Sequence, residues 1–252
     1  MDRPTRPSPA TAPRGSSPGP RPGGPPSRRG DAGAPRPSAA AVLDEAVRAL
    51  APENGANRLV QRIARGQAPR TVFTTFALEQ HQVIAADRIS FQHLARRADG
   101  DPPVADFFDL LAEGETRALA RLAGLADACG LTAREITGYQ PRPGCQAFPS
   151  YAARLALAAE PADAAIALTA NFAAWGGYCA TVRTALAEHY DFPEAARGFF
   201  TLFADPAPEL AVAARAAVQQ GIDTGQARPA MAHRYGQLLQ AYEVMFWNSL
   251  GE

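Results

Sequence analysis

The last predicted helix of the chain, Ala230–Leu250, carries one acidic side chain inside a strongly apolar run. The run is Tyr242–Trp247, which reads YEVMFW, so large apolar and aromatic residues flank Glu243 on both sides. Removing a carboxylate from water is costly unless it is paired, hydrogen-bonded or protonated. We therefore expect Glu243 either to be buried against a partner or to work in a pocket.

The other acidic and histidine residues do not follow the spacing of a metal site. Iron sites in helical bundles take Glu and His three or four residues apart on one helix face. Glu79 and His81 are two residues apart and point to different faces, and neither Glu113 nor Glu115 is followed by a His at helical spacing. We therefore expect no metal and no cofactor. An iron site would have to use Glu79, Glu115 and Glu243.

Cysteine and lysine usage excludes further kinds of chemistry. The three cysteines are Cys129, Cys145 and Cys179, an odd number with wide spacing and no CxxC pair. This pattern argues against a disulfide framework and against a zinc site. The chain contains no lysine, which excludes a lysine Schiff base.

Composition divides the 252 residues into two parts. Residues 1–40 contain 11 of the 23 prolines and seven Arg against two acidic residues, and such a segment cannot bury enough apolar surface to fold. We predict a disordered tail over residues 1–40 and one helical domain over 41–252. The chain is 46% hydrophobic, which is enough for one sizeable core.

Charge and hydropathy also limit the partners and the location. Outside the tail, 18 Arg stand against 23 acidic residues, a net charge of −5. This mild acidity argues against a specific nucleic-acid surface. No apolar segment predicts a membrane span or a secretory signal, so we expect a cytoplasmic protein.

Apolar residues recur at helical spacing along almost all of the chain after Ala39, and no segment alternates as a strand does. The pattern predicts helices at 42–50, 58–66, 70–97, 104–129, 147–159, 161–190, 193–203, 206–221 and 230–250. Thr132 and Glu135 predict a further short helix with a capping box, and prolines predict a loop over 139–144. The expected fold is one all-α bundle of about seven to nine helices.

Three blocks of this pattern resemble the TenA/PqqC-type, heme-oxygenase-like family. The first is the short helix, turn and long helix of residues 59–73, with Gly66 and Pro69 in the turn. The second is 167–186, which follows a helix start reading AFPSY at 147–151. The third is Tyr242–Trp247, which resembles the terminal helix of thiaminase II, where a Glu precedes Phe-Trp. The resemblance covers most of 57–250 and implies a single heme-oxygenase-like bundle.

The resemblance also implies which residues would form a site. The aminopyrimidine hydrolases of this family use a cysteine nucleophile, a substrate-orienting Asp, flanking tyrosines and a terminal Glu as acid/base. Glu243 matches that Glu, whereas Gln80 stands at the Asp position and Asn171 at the cysteine position. Val83 and Phe203 stand where tyrosines are expected. The resemblance thus assigns catalysis to Glu243 and substrate binding to Gln80, Asn171, Trp175, Phe203 and Phe148.

Three functions follow from these assignments. The leading one is a TenA-like small-molecule enzyme, such as a C–N or C–S hydrolase acting on a thiamin-related or other heterocyclic substrate. Asn171 has no thiol and cannot act as the nucleophile. Cys179 lies about 12 Å from Asn171 along the same helix and cannot take its place. The alternative is therefore a ligand-binding or regulatory protein without catalysis, and the third is a di-iron oxygenase.

Two further expectations come from the same resemblance. Related bundles are dimers or tetramers, so we expect a homo-oligomer. Cofactor-free oxidation or cyclisation, as in the PqqC branch, would need His and Arg in the pocket, and His81 and Arg154 are the candidates for it.

Overall fold

The structure, a computed structural model, describes residues 36–251, and that part of the chain forms ten α-helices and no β-strand. The helices are α1 Ala39–Ala49, α2 Arg58–Ala64, α3 Thr71–Arg97, α4 Pro102–Ala128, α5 Ala133–Gly138, α6 Pro143–Ala158, α7 Pro161–Glu188, α8 Glu194–Ala204, α9 Pro208–Thr224 and α10 Pro229–Ser249. The prediction of an all-α fold is confirmed. The ten helices correspond to the ten segments that the sequence pattern predicts, one more than the expected total of seven to nine.

The described chain begins inside the segment predicted as a tail. Residues 1–35 of the predicted disordered tail lie outside the described residues. Ser38 accepts a hydrogen bond from the Ala41 backbone N–H and caps α1, which begins at Ala39. Helix α1 therefore begins two residues before residue 41, from which the helical domain was predicted.

Prolines and one capping box set several helix boundaries. A proline occupies the first turn of α4, α6, α7, α9 and α10, where its missing N–H leaves no helical hydrogen bond unmade. The capping box of Thr132 and Glu135 before α5 is confirmed. The loop predicted over 139–144 is shorter than expected, because Pro143 is the first residue of α6.

Two apolar clusters form the core of the bundle. One cluster joins α1, the second half of α3, the first half of α4, much of α6 and α9, and the start of α7. The other joins α2, the first half of α3 and the ends of α4, α7, α8 and α10. Buried polar residues of α3, α4, α7 and α10 interrupt the apolar packing of these helices.

Specific contacts tie the helix that carries Glu243 to its neighbours. A Cβ on Gly144 would lie 2.0 Å from Ser249 Oγ, so only glycine lets the start of α6 approach the end of α10 so closely. Arg142 donates to the Ser249 carbonyl at 2.6 Å. At the other end of α10, Arg228 pairs with the buried Asp163 of α7 at 2.8 Å. These contacts fix α10 against α6 and α7.

Within residues 36–251, no helix combines the length and the apolar character that crossing a membrane requires.

Candidate functional site

The six residues assigned from the sequence to catalysis and substrate binding lie around one cavity of about 50 Å³. That volume has room for a few water molecules or for the reacting part of a small ligand. Helices α3, α4, α6, α7, α8 and α10 supply the lining residues. They are Gln80, Val83, Asp87, Glu115, Phe148, Asn171, Phe172, Trp175, Phe203, Glu243 and Phe246.

Glu243 and Asn171 form a hydrogen-bonded pair across the α7–α10 contact. Asn171 Nδ2 donates to Glu243 Oε2 at 2.5 Å, and the two residues are 72 positions apart in the chain. Both are almost fully buried, with exposures of 3% for Glu243 and 1% for Asn171. The second oxygen, Glu243 Oε1, has no hydrogen-bond partner. One carboxyl oxygen is therefore held and the other remains available.

Burial changes the acidity of Glu243. Loss of solvation raises its pKa to about 8, although the Asn171 amide opposes this rise by stabilising the carboxylate. The side chain is therefore mainly protonated at neutral pH. Burial also raises the pKa of the Cys179 thiol well above its usual value, and the nearby Glu243 charge adds to this effect.

Aromatic rings form much of the cavity wall. The Trp175 ring lies 5.9 Å from Phe203 and 6.1 Å from Phe246, in edge-to-face arrangements. Gly176 permits this packing, because a Cβ there would come within 2.9 Å of the Phe203 carbonyl oxygen. Close helix packing therefore accounts for a glycine at position 176. It does not account for Gly177, where a Cβ would meet nothing within 4 Å.

The acidic residue next to Gln80 has a different environment. Glu79 Oε1 accepts from the Tyr139 hydroxyl and from the Arg142 backbone N–H, both at 2.7 Å. Its Oε2 accepts from Gln146 Nε2 at 2.9 Å. Glu79 is fully buried and does not line the cavity. It joins α3 to the α5–α6 connection.

Two acidic residues of the cavity were missed as binding residues in the sequence. Asp87 was not singled out at all, and Glu115 was considered only as an iron ligand. Asp87 follows Gln80 by seven residues and Val83 by four, which places all three on one face of α3. Glu115 lies between Leu111 and Ala118 on the apolar face of α4. A carboxylate at a core position of each helix was the signal that could have identified both.

The two missed carboxyl groups are also perturbed by burial. Desolvation raises the pKa of Asp87 to about 8. The pKa of Glu115 is raised well above its usual value, first by burial and then by the charge of Asp87. Asp87 Oδ1 has no hydrogen-bond partner. The cavity therefore contains a second acidic site besides Glu243.

A larger groove of about 1320 Å³ adjoins the cavity. Residues of α4, α7, α8 and α9 line most of it, together with the connection from Ala204 to Pro208. Glu115, Phe172 and Phe203 line both the groove and the cavity. These three residues therefore lie at the boundary between the groove and the cavity.

The alternative chemistries considered from the sequence find less support in the geometry. Among residues 36–251, no three His, Cys, Asp or Glu side chains lie together as metal ligands would. Of the three glutamates named for an iron site, Glu79 lies outside the cavity and accepts hydrogen bonds there from Tyr139 and Gln146. Neither His81 nor Arg154, the pair considered for cofactor-free oxidation, lines the cavity.

Solved structures with the same arrangement of helices are TenA homologues. One is a TenA homologue from Pseudomonas syringae pv. tomato str. DC3000, with a TM-score of 0.63, 12% identity, and coverage of 86% of this chain and 96% of that one. Another is a TenA homologue protein from P. horikoshii OT3, with a TM-score of 0.56, 13% identity, and coverage of 83% and 92%. At these identities the likeness shows the fold alone.

Comparison at the level of sequence identifies the family. No curated protein matches the chain significantly. The model of the TENA/THI-4/PQQC family matches residues 57–251, which include every residue that lines the cavity. The chain belongs to the TENA/THI-4/PQQC family.

Proposed function

We propose that this protein is a small-molecule enzyme of the TenA type in which Glu243 acts as acid and base. The proposed reaction is hydrolysis of a C–N or C–S bond in a thiamin-related or other heterocyclic substrate. The observation that carries the proposal is the buried cavity around Glu243, with one carboxyl oxygen held by Asn171 and the other unpartnered. A side chain with these properties can exchange a proton with a bound molecule.

Glu243 is suited to begin the reaction as the acid. Because burial raises its pKa to about 8, the carboxyl group holds a proton at neutral pH and can give it to the leaving nitrogen or sulfur. The resulting carboxylate can then take a proton from the water that attacks the carbon. The two transfers add one water across the bond and return Glu243 to its starting state.

A direct attack by water would replace the covalent step of the cysteine-dependent hydrolases. No thiol lines the cavity, and Asn171 stands where the resemblance expects the nucleophile. Cys179 is fully buried on the same helix, two turns further on. Its raised pKa keeps it as a thiol, whereas nucleophilic attack needs the thiolate.

The remaining predicted residues are suited to hold a planar heterocycle. The amide of Gln80 offers a donor and an acceptor to a ring edge. Trp175, Phe203 and Phe148 provide apolar faces and edges on which a flat ring can pack. We propose that these four side chains bind the substrate in this way.

A screen for turnover tests the proposal. Purified protein is incubated with a panel of thiamin-related and other heterocyclic compounds, and products are detected by liquid chromatography and mass spectrometry. We expect at least one compound to be hydrolysed by the wild type and by Glu188→Gln, a control at an exposed residue of α7. The Glu243→Gln variant should lose this turnover, and unchanged turnover in that variant would refute the assigned role.

Ligand binding without turnover is the second candidate, favoured by the lack of a thiol or hydroxyl side chain among the residues that line the cavity. In that case the screen would find a compound that binds tightly, is not converted, and is displaced when the cavity is altered. Homo-oligomerisation into a dimer or tetramer and a cytoplasmic location stay predictions. Light scattering of the full chain measures the oligomeric state.

A further inference from the structure

The reaction proposed above leaves two buried carboxyl groups of the cavity without a role. Asp87 on α3 is 5% exposed and Glu115 on α4 is 8% exposed, and both line the cavity. Asp87 Oδ1 is buried without a hydrogen-bond partner. A buried acceptor without a donor is costly. A ligand that brings a donor to this oxygen would remove that cost.

The composition of the cavity wall indicates what kind of donor fits. The residues that line the cavity include three carboxyl groups and five aromatic rings, but no Arg or His, and the chain has no Lys. The wall therefore offers carboxyl groups that can ionise beside a bound cation, and no protein cation lines it to compensate them. Aromatic faces also attract cations electrostatically. Both features favour a ligand that carries a positively charged donor on a flat apolar body.

The two acidic sites of the cavity are separate from each other. Asp87 lies two helical turns beyond Gln80 on α3, about 10 Å along the axis. Glu115 lies where the cavity meets the groove. The charges of Asp87 and Glu115 are not among the causes that shift the pKa of Glu243. One ligand can therefore contact both acidic sites with different parts of its structure.

We propose that Asp87 and Glu115 form a subsite for a basic nitrogen of the substrate, either a primary ammonium or an amidinium group. The inference rests on the proposed function, since it assumes that the reacting bond of the same substrate lies at Glu243. The nitrogen donates to Asp87 Oδ1 and to the neighbouring carboxyl of Glu115. The rest of the molecule extends through the cavity toward Glu243.

Charge balance is consistent with such a subsite. Burial raises the pKa of Asp87 to about 8, and the pKa of Glu115 is raised further by the Asp87 charge. Without a ligand, the pair holds protons at neutral pH. A cationic nitrogen replaces one of these protons, which passes to the solvent, and the carboxylate that forms is compensated by the bound cation.

Two matched probes test the subsite without requiring the natural substrate. Benzamidine is a planar cation, and benzamide is its neutral isostere with the same number of non-hydrogen atoms. Binding of each is measured by calorimetry on wild-type protein, Asp87→Asn, Glu115→Gln and Glu113→Gln. The last variant is the control, because Glu113 is exposed on the same helix as Glu115. Circular dichroism confirms that each variant is folded.

We expect the wild type and Glu113→Gln to bind benzamidine at least about tenfold more tightly than benzamide, since one charge-assisted hydrogen bond contributes that much. Asp87→Asn and Glu115→Gln should each lose this preference while their affinity for benzamide changes less than about threefold. Glu243→Gln should keep the preference, which separates the subsite from the proposed catalysis.

Several results would overturn the subsite. Equal affinity for the two probes in the wild type would do so, as would a preference that persists in both Asp87→Asn and Glu115→Gln. Binding of neither probe would also refute it, and the Glu243→Gln turnover test would still decide the proposed function independently. Stabilisation by MnCl2 that disappears in Asp87→Asn would assign the two carboxylates to a metal ion instead.

Discussion

Glu79 and Glu243 are both buried glutamates on long helices, but their hydrogen bonding differs completely. Glu79 accepts three hydrogen bonds, from Tyr139, Arg142 and Gln146, which use both of its oxygens. Glu243 accepts one, from Asn171, and its other oxygen has no partner. Glu79 lies outside the cavity, whereas Glu243 lines it.

The contrast shows what distinguishes a structural carboxylate from one that is available for chemistry. Three donors compensate the desolvation of Glu79, so removing this side chain would leave those donors unsatisfied. The single donor to Glu243 leaves much of its desolvation uncompensated, which is why burial raises its pKa to about 8. Burial alone is therefore a poor guide to function. Whether both oxygens of a buried carboxyl group accept hydrogen bonds is a better one.

The largest expected effect on stability comes from removing Glu79. Glu79→Ala leaves three donors unsatisfied at the contact between α3 and the start of α6, and we expect a loss of about 3 kcal/mol or more in the free energy of unfolding. Urea denaturation measures this, with Glu113→Ala as the exposed control, expected within about 0.5 kcal/mol of wild type. A loss below about 1 kcal/mol would mean that Glu79 is not a structural anchor.

The pH dependence of stability provides a test that is specific to Glu243. Its folded pKa of about 8 exceeds the usual 4.5, so between these values the folded state binds more protons and stability falls as pH rises. Glu243→Gln removes this term. The unfolding free energy of Glu243→Gln, relative to that of wild type, should therefore increase between pH 5 and 8, by up to about 1.4 kcal/mol per pH unit.

Thermal unfolding at several pH values compares wild type with Glu243→Gln and with Glu188→Gln. The exposed control should keep a constant difference from wild type across this range. A constant difference for Glu243→Gln as well would show that Glu243 is already ionised at low pH.

The single hydrogen bond to Glu243 can be tested directly. Asn171→Leu keeps the branching and the number of non-hydrogen atoms of the side chain but removes the N–H donor that lowers the pKa of Glu243. We expect that pKa to rise by about one further unit, the equivalent of one net hydrogen bond. Infrared titration of the carboxyl signal that is absent from Glu243→Gln measures it, and a lowered pKa would contradict the pairing.

The smallest expected effect concerns the buried thiol near Glu243. Cys179→Ala removes one atom from a fully buried position, which should cost about 1 kcal/mol of stability through the small void left behind. Turnover of any substrate found should stay within about twofold of wild type. Loss of turnover in a folded variant would make Cys179 the nucleophile and would move the chemistry away from Glu243.

The sequence predicted the fold well because local signals act within single helices. Helical spacing located the long helices α3 and α4 to within two residues at each end, and Thr132 with Glu135 identified the capping box. The start of α6 was predicted late because Pro143 was assigned to a loop, although proline is also suited to a first helical turn. The resemblance in three blocks supplied the family.

The site was predicted less completely, since spacing does not show which of two adjacent polar residues faces a cavity. The side chains of Glu79 and Gln80 point about 100° apart around α3. Only the packing of α6 against α3 shows that Glu79 is the residue that meets hydrogen-bond donors. The pairing of Asn171 with Glu243 joins residues 72 positions apart, which local patterns cannot reveal. Asp87 was overlooked because the resemblance offered no counterpart for it.

The central claim is that Glu243 performs chemistry while Glu79 maintains structure. The most direct measurement is kcat and melting temperature side by side for wild type, Glu243→Gln and Glu79→Gln, on the first substrate that the screen identifies. We predict that Glu243→Gln loses about 100-fold to 10,000-fold in kcat without a loss of melting temperature. Glu79→Gln should lose melting temperature but keep kcat within about tenfold. Full turnover by Glu243→Gln would contradict the claim.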